Sequence, residues 1–242
     1  MMDKGIFRRS FFRAVLPSLA LLFLSVAAGN GADPSAVLSA AGWEEHTPGR
    51  WNSLPERKVE AAPNRISGEF VLPPGSGVSW EKKGSWTPGS GPPLSIEFSC
   101  DATNPSSKDY KEFGTRFPVS VTAVFGKESQ EITWRRRFLD FFRKVWNGFP
   151  PGGIRLVYAW GSNVPVGSMY RTGEEETVFI LAGEEEKGKN VSSKRNLRED
   201  FMAAYGRYPK GPVTAIVVSA ERPSKEKGKL SGRVAVTLPP GP

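Results

Sequence analysis

The sequence predicts a mainly β protein, an antiparallel β-sandwich of jelly-roll type with one amphipathic helix and one short helix. Short segments that alternate in polarity, or are rich in β-branched and aromatic residues, recur along the chain. Clusters of Gly, Pro and Ser separate them, and only two segments have a helical pattern. The predicted strands are residues 65–72, 94–100, 117–125, 154–160, 177–182, 213–219 and 233–238.

The N-terminus has the pattern of a secretory signal peptide at residues 1–28. Four basic residues flank the start of an apolar run whose centre is 16–24, and the small residues 26–28 form a cleavage site before Gly29. The run is shorter than the roughly 20 residues that a membrane-spanning helix needs. We therefore expect cleavage, no transmembrane span in the mature chain, and a periplasmic or extracellular location. An uncleaved N-terminal anchor is the alternative.

The signal also resembles the twin-arginine type, which exports folded proteins. Arg8 and Arg9 are followed by Phe11, Phe12 and Arg13, although Phe7 departs from that pattern. Because paired arginines are common in any signal, twin-arginine export and the general route both remain open.

The charge of the chain limits its partners. The formal net charge is +8, and removing residues 1–28 lowers it to +5. A moderate positive charge favours contact with an anionic envelope polymer, or serves only solubility. Nucleic acid is not an expected partner, because the chain is predicted to be exported and has no zinc, helix-turn-helix or RNP-type motif.

The single cysteine excludes an intrachain disulfide, so packing must stabilise the fold. Cys100 ends a predicted strand in which apolar and polar residues alternate, and it lies on the apolar side. We expect a buried small hydrophobic residue, without a nucleophilic role.

The predicted organisation after the signal is a flexible leader at 29–58 followed by one β-sandwich domain at 59–242. The leader is rich in Pro, Gly, Ala and polar residues and has weak periodicity. Residues 73–93, dense in Gly, Ser and Pro, are predicted to form a long loop within the domain.

The two predicted helices differ in character. Residues 133–147 carry an aromatic face and an arginine-rich remainder, as expected for a helix packed on the sandwich or for one lying on an anionic surface. Residues 197–205 form the shorter helix, which ends at Gly206.

The candidate binding residues lie on and around the predicted strand at 154–160. Tyr158 and Trp160 share one face, and exposed rings there would stack on sugars. Arg116, Asn163 and Tyr170 are the candidate polar partners. The alternative is that Tyr158 and Trp160 fill the core.

No catalytic residue, cofactor or metal site is predicted. His46 is the only histidine, which removes triad hydrolases and multi-histidine metal sites. Phosphate-loop, dinucleotide and EF-hand motifs are also missing from the sequence. Catalysis by two carboxylates remains open, and the candidates are Glu97, Asp101, Asp109 and Glu112. Weak calcium binding by the glutamate runs at 174–176 and 184–186 also remains open.

An ordered set of segments resembles the DUF3047 family of exported bacterial proteins over about residues 60–238. Where such proteins carry an Asp- and Thr-rich stretch after the last matched strand, this chain has residues 221–225, of sequence ERPSK. The resemblance implies the fold and the exported address and assigns no activity. The matching segments are Asp109-Tyr110, 117–125, 156–160, 165–168, 178–181, 195–197, Asp200, Phe201, 205–206, Pro209 and 213–218.

Three functions follow from these observations. The first is a non-catalytic envelope module that binds a glycan or another envelope ligand, and this is the function we predict. The second is a carboxylate-dependent polysaccharide hydrolase or lyase. The third is a structural envelope protein that binds a partner through its basic helix. The sequence makes no prediction about oligomeric state.

Overall fold

The computed structural model of the chain describes residues 33–47, 53–107, 116–126 and 153–239. These residues form twelve strands and two α-helices, with a short 3-10 turn at Glu184–Glu186. The helices are α1 (Pro34–Ala40) and α2 (Leu197–Tyr205). The strands are β1 (Glu44–His46), β2 (Glu56–Ala62), β3 (Arg65–Leu72), β4 (Ser76–Trp86), β5 (Leu94–Cys100), β6 (Val119–Phe125), β7 (Ile154–Trp160), β8 (Met169–Arg171), β9 (Glu176–Ala182), β10 (Val191–Arg195), β11 (Val213–Arg222) and β12 (Leu230–Thr237).

The strands form two sheets, and the predicted mainly β sandwich is confirmed. One sheet has seven strands in the order β1-β4-β11-β6-β7-β9-β8, and the other has five in the order β10-β5-β12-β3-β2. All neighbours are antiparallel except β7 and β9. That pair is parallel because the chain leaves β7, forms the edge strand β8, and turns back so that β9 lies between them. The seven-stranded sheet is therefore mixed.

The two sheets differ on the faces turned away from the core. In the central strands β11, β6, β7 and β9 of the seven-stranded sheet both faces are mostly buried, and the outward side chains Val124, Ala215 and Val217 form an apolar cluster of their own. A second outer cluster contains Phe117, Val157, Ala159, Val178 and Ile180. In β2, β3 and β12 of the five-stranded sheet, the outward side chains are mostly polar and exposed. The outward face of the five-stranded sheet is therefore the one open to solvent.

The seven predicted strands are all present, but the predicted loop at 73–93 is wrong. It contains β4, eleven residues long, which pairs with β1 and β11 and buries Trp80 in the core. Its small residues serve packing. A Cβ on Gly84 would lie 2.5 Å from the ring of Trp86, and one on Gly68 of β3 would lie 2.4 Å from the ring of Trp80. Glycine here makes room for tryptophan, although glycine is usually a turn signal.

The predicted leader also needs correction, because its described parts, 33–47 and 53–58, belong to the sandwich. Asp33 caps α1 by accepting a hydrogen bond from the Ser35 amide at 3.0 Å. Leu38 is 0% exposed and Trp43 is 1% exposed, and both lie in the main core. β1 then pairs with β4. A seven-residue helix has too few apolar positions to produce a visible period, so the sequence did not reveal it.

The short predicted helix is confirmed with its predicted bounds. The side chain of Asn196 accepts hydrogen bonds from the amides of Arg198 and Glu199, and Gly206 ends the helix at φ 68°. Phe201 attaches it to the core, with its ring centroid 4.7 Å from that of Phe125.

Two other predictions lie outside the described residues: the signal peptide at 1–28 and the amphipathic helix at 133–147. Neither helix of the described part of the chain is long and apolar enough to cross a membrane.

Candidate functional site

A row of charged side chains crosses the open face of the five-stranded sheet. Glu69 on β3 is in register with Lys58 on β2 and with Arg233 on β12. Arg233 is in turn in register with Ser99 on β5. Side chains that are in register across adjacent strands lie on the same face, so the four residues form one line across four strands. We call this line the charged row.

A groove of about 610 Å³ runs along the charged row. Its other wall is the next outward row, made of Glu56, Val71 and Ser231, which are also in register. The residues between these two rows turn their side chains toward the core. The backbone of these residues therefore forms the floor of the groove. Gly232 lies in this middle row, and a Cβ there would come within 2.7 Å of the Phe70 ring. Glycine at 232 therefore lets Phe70 pack beneath the groove.

The groove carries charges of both signs. Lys58, Glu69 and Arg233 are exposed, and none of the three forms an ion pair with another described residue. Arg57 is different, because its guanidinium donates to Glu45 at 2.7 Å and is already occupied. Asp101, at the groove's end, accepts a hydrogen bond from the Ser231 amide at 2.7 Å. The charged row thus offers both donors and acceptors to a ligand.

The groove suits a neutral, polar ligand. With nearly balanced charges, it does not strongly attract a polyanion or a polycation. Val71 is its half-buried apolar side chain, and Phe70 is only 3% exposed. Among the lining residues, no aromatic ring is presented for stacking. Binding here would rest on hydrogen bonds to hydroxyl or amide groups.

The predicted aromatic platform needs correction, because its two rings lie between the sheets. Tyr158 and Trp160 share a face as predicted, but each is 0% exposed and belongs to the main core. The core-filling alternative is what the structure shows, so neither ring is accessible for stacking. The inner face of β7 holds these residues because the second sheet covers it.

Tyr158 has a polar partner inside the core. Its hydroxyl donates to Asp200 Oδ2 at 2.7 Å, and Asp200 also pairs with Arg195. Burial, and then the nearby Asp200 carboxylate, raise the pKa of the Tyr158 hydroxyl well above its usual range. Tyr158 therefore stays neutral and fixes α2 to the seven-stranded sheet. The indole nitrogen of Trp160 is buried without a hydrogen-bond partner among the described residues.

Two of the three predicted polar partners meet at the loop formed by residues 102–107. The backbone carbonyl of Arg116 accepts a hydrogen bond from the Asn104 side chain at 3.1 Å. The Asn163 side chain is exposed and donates to the carbonyls of Pro105 and Ser107. Tyr170 lies on the edge strand β8 and packs against the outer apolar cluster around Val157. These three residues do not line the groove, and their binding role stays a prediction.

The carboxylate candidates are only partly within the described residues. Glu97 is exposed on β5, and Asp101 follows the end of that strand. Four residues of extended chain put the Cα atoms of Glu97 and Asp101 about 13 Å apart. A catalytic role for this pair stays a prediction. Asp109 and Glu112 lie outside the described residues.

The residues of the charged row were missed at the sequence level. The alternation within β2, β3 and β12 indicates which side chains point outward. Which of them become neighbours depends on pairing between segments that are distant in the chain, and that is not visible in any one segment.

The comparison with solved structures finds matches to this chain at low sequence identity. Endoglucanase cel12A from Rhodothermus marinus is 9% identical with a TM-score of 0.44, covering 83% of this chain and 94% of its own. The xyloglucanase domain of NopAA, a type three effector from Sinorhizobium fredii, solved in complex with cellobiose, is 11% identical with a TM-score of 0.37, covering 81% of this chain and 91% of its own. These values support no inference about activity. No curated protein matched the chain.

The family comparison is more specific. The model of the family described as "Protein of unknown function (DUF3047)" matches residues 89–228, from the loop before β5 to the turn before β12. The match includes β6, β7, β9, α2 and β11, the elements in which the sequence resemblance was strongest. It covers more than half of the chain, and the protein therefore belongs to the DUF3047 family.

Proposed function

We propose that this protein is an exported, non-catalytic envelope protein that binds a glycan, or another neutral hydroxyl-rich envelope ligand, in the groove of its five-stranded sheet. The observation that carries the proposal is the charged row, whose exposed Lys58, Glu69 and Arg233 are not paired with one another. A sugar hydroxyl both donates and accepts, so alternating ammonium, carboxylate and guanidinium groups suit a chain of hydroxyls. The proposed address rests on the signal-like N-terminus at residues 1–28.

The shape of the groove supports an extended ligand. The charged row spans four neighbouring strands, or about 14 Å at the usual spacing between strands. This length fits a short oligosaccharide lying across the sheet. The groove is also open, so a polymer could extend beyond it at either end. An open site without stacking rings predicts weak binding, which improves when a polymer engages several copies of the protein.

A glycan array and an insoluble cell-wall pull-down test this proposal with the purified chain, at low and high salt. We expect binding to neutral glycans that persists at high salt, because hydrogen bonds between neutral hydroxyls and the groove are screened little. Binding that high salt abolishes would indicate only attraction to an anionic polymer. Lack of binding to any neutral glycan would overturn the proposal.

The groove itself is tested by the double substitution Glu69→Ala with Arg233→Ala. Both side chains are exposed, so the fold should be kept while the affinity falls by at least about tenfold, as expected when two hydrogen-bonding groups are lost. The matched control is Glu97→Ala, which removes an exposed carboxylate from the same face outside the groove. Asn163→Ala tests the predicted polar partner at the loop 102–107. If the double variant binds like the wild type, the groove is not the site.

A further inference from the structure

The structure brings together three metal-ligating side chains outside the groove. Glu44 and His46 are two residues apart on β1, so they lie on the same face of the strand. Glu81 on β4 is directly in register with Glu44. All three belong to the outward face of the seven-stranded sheet at its β1 edge. We call this group the β1–β4 cluster.

The donor atoms are close enough to share one ion. His46 Nε2 lies 2.8 Å from Glu81 Oε2 and 3.8 Å from Glu44 Oε2, and one ligand atom from each residue lies within 4.8 Å of the others. A divalent cation with bonds of about 2.0 to 2.2 Å holds tetrahedral ligands about 3.4 Å apart. The observed separations lie around that value, so small side-chain movements would complete the geometry.

A second observation points to a cation. The Glu81 side chain is only 6% exposed, and its Oε1 atom is buried without a hydrogen-bond partner among the described residues. A buried carboxylate oxygen without a partner costs about 1 to 3 kcal/mol. Hydrogen bonding to His46 satisfies the Oε2 atom but leaves Oε1 unsatisfied. A bound cation next to this carboxylate would offset the cost.

Exposure increases across the cluster from Glu81 to Glu44. The side-chain exposures are 6% for Glu81, 31% for His46 and 54% for Glu44, so the cluster opens to solvent on the Glu44 side. An ion could enter there and keep water as a remaining ligand. A competing group is Lys83, whose Nζ donates to Glu44 at 2.7 Å, and whose own side chain is 60% exposed. Such an exposed pair contributes at most about 1 kcal/mol, so Lys83 can be displaced.

From these contacts we propose that Glu44, His46 and Glu81 bind one divalent transition-metal cation of the zinc class. An imidazole nitrogen with two carboxylates suits such ions better than Ca²⁺ or Mg²⁺, which prefer all-oxygen sites. The ion would join β1 to β4 and so fix the segment that contains α1 to the edge of the sandwich. The expectation of no metal site, which rested on the presence of a single histidine, is revised by this proposal.

The single histidine makes a direct test possible. In the full chain, labelled with ¹⁵N, carrying no histidine tag and treated with chelator, every imidazole signal comes from His46. Titration with ZnCl₂ should shift the Nε2 resonance and saturate at one equivalent, while the Nδ1 resonance moves less. Calorimetry should give the same stoichiometry. The same titration with MnCl₂ and with CaCl₂ measures the selectivity of the site among metal ions. An Nε2 resonance that does not respond to zinc would overturn the proposal.

Variants separate a metal site from a simple His46–Glu81 hydrogen bond. Glu44→Gln removes the exposed ligand and keeps that bond, so the apo melting temperature should change little while zinc affinity falls at least about tenfold. Zinc should raise the melting temperature of the wild type and not that of His46→Gln. The matched control, Glu60→Gln on β2, should bind zinc normally. Unchanged zinc affinity in both cluster variants would show that the ion binds elsewhere.

Discussion

The hydroxyl of Tyr158 on β7 donates a hydrogen bond of 2.7 Å to Asp200 on α2. The same carboxylate pairs with Arg195, whose guanidinium also lies 5.2 Å from the centre of the Tyr158 ring. Three side chains from β7, β10 and α2 thus meet at the edge of the core. Tyr158 is a structural residue whose polar atom joins a helix to the sheet.

We expect Tyr158→Phe to lower the free energy of unfolding by about 1 to 3 kcal/mol, because it removes a buried hydrogen bond to a charged acceptor. Asp200 keeps Arg195 as its partner, so the fold should survive. Denaturant unfolding followed by circular dichroism measures the change. The control is Tyr208→Phe, at a tyrosine that is 46% exposed, where the change should be below about 0.5 kcal/mol. Equal effects of the two variants would contradict the structural role.

The same tyrosine predicts a loss of stability at alkaline pH. Its folded pKa is raised above the usual value near 10, so the folded state holds its proton more tightly than the unfolded state. The contribution of Tyr158 to the free energy of unfolding is therefore complete below pH ~10. Above that pH it is lost, at up to about 1.4 kcal/mol per pH unit. Tyr205, whose pKa is also raised by burial, adds to this loss. Burial lowers the pKa of Lys82, which acts in the opposite direction.

Unfolding measurements between pH 8 and 11 on the wild type and Tyr158→Phe check this expectation. The variant should lose less stability above pH 10, since Tyr158, whose pKa burial raises, is gone. Parallel curves for the two proteins would show that Tyr158 does not contribute.

Gly68→Ala is expected to destabilise the protein by about 1 to 3 kcal/mol through overpacking. The added Cβ would lie 2.4 Å from the buried ring of Trp80. In the Trp80→Phe background the cost of Gly68→Ala should be smaller, because the smaller ring leaves room for the added Cβ. Gly183→Ala is the control, since its Cβ would meet its nearest neighbour at 3.5 Å. Thermal unfolding compares the variants, and a neutral Gly68→Ala would contradict the predicted clash.

Cys100 should be unreactive in the native protein. It is 1% exposed, and burial raises the pKa of its thiol well above the usual range, so little thiolate forms. At pH 8 we expect iodoacetamide to label it at least about 100 times more slowly in buffer than in denaturant, because labelling requires opening of the core. No other cysteine contributes to the signal. Fast labelling in buffer would contradict this burial.

Much of the fold was predictable because strand alternation is local. β3, β5, β7 and α2 have the predicted bounds, and Cys100 lies on the buried side as expected. β4 was missed because its glycines and serines resemble a loop, whereas Gly84 fits against the Trp86 ring of the same strand and Gly68 of the opposite sheet makes room for Trp80. The local pattern could not show that the partner of Gly68 is Trp80.

The sequence by itself determined seven of the twelve described strands, the sandwich, the short helix, the buried cysteine and the family resemblance, because each depends on residue type and spacing within one segment. Tertiary structure alone decided which polar side chains meet. Lys58, Glu69 and Arg233 become one row, and His46 reaches Glu81, 35 residues away, only through strand pairing. Tertiary structure also decided which face of β7 the second sheet covers. That packing placed Tyr158 and Trp160 in the core between the sheets. Register and layer packing are long-range properties, and a single segment does not encode them.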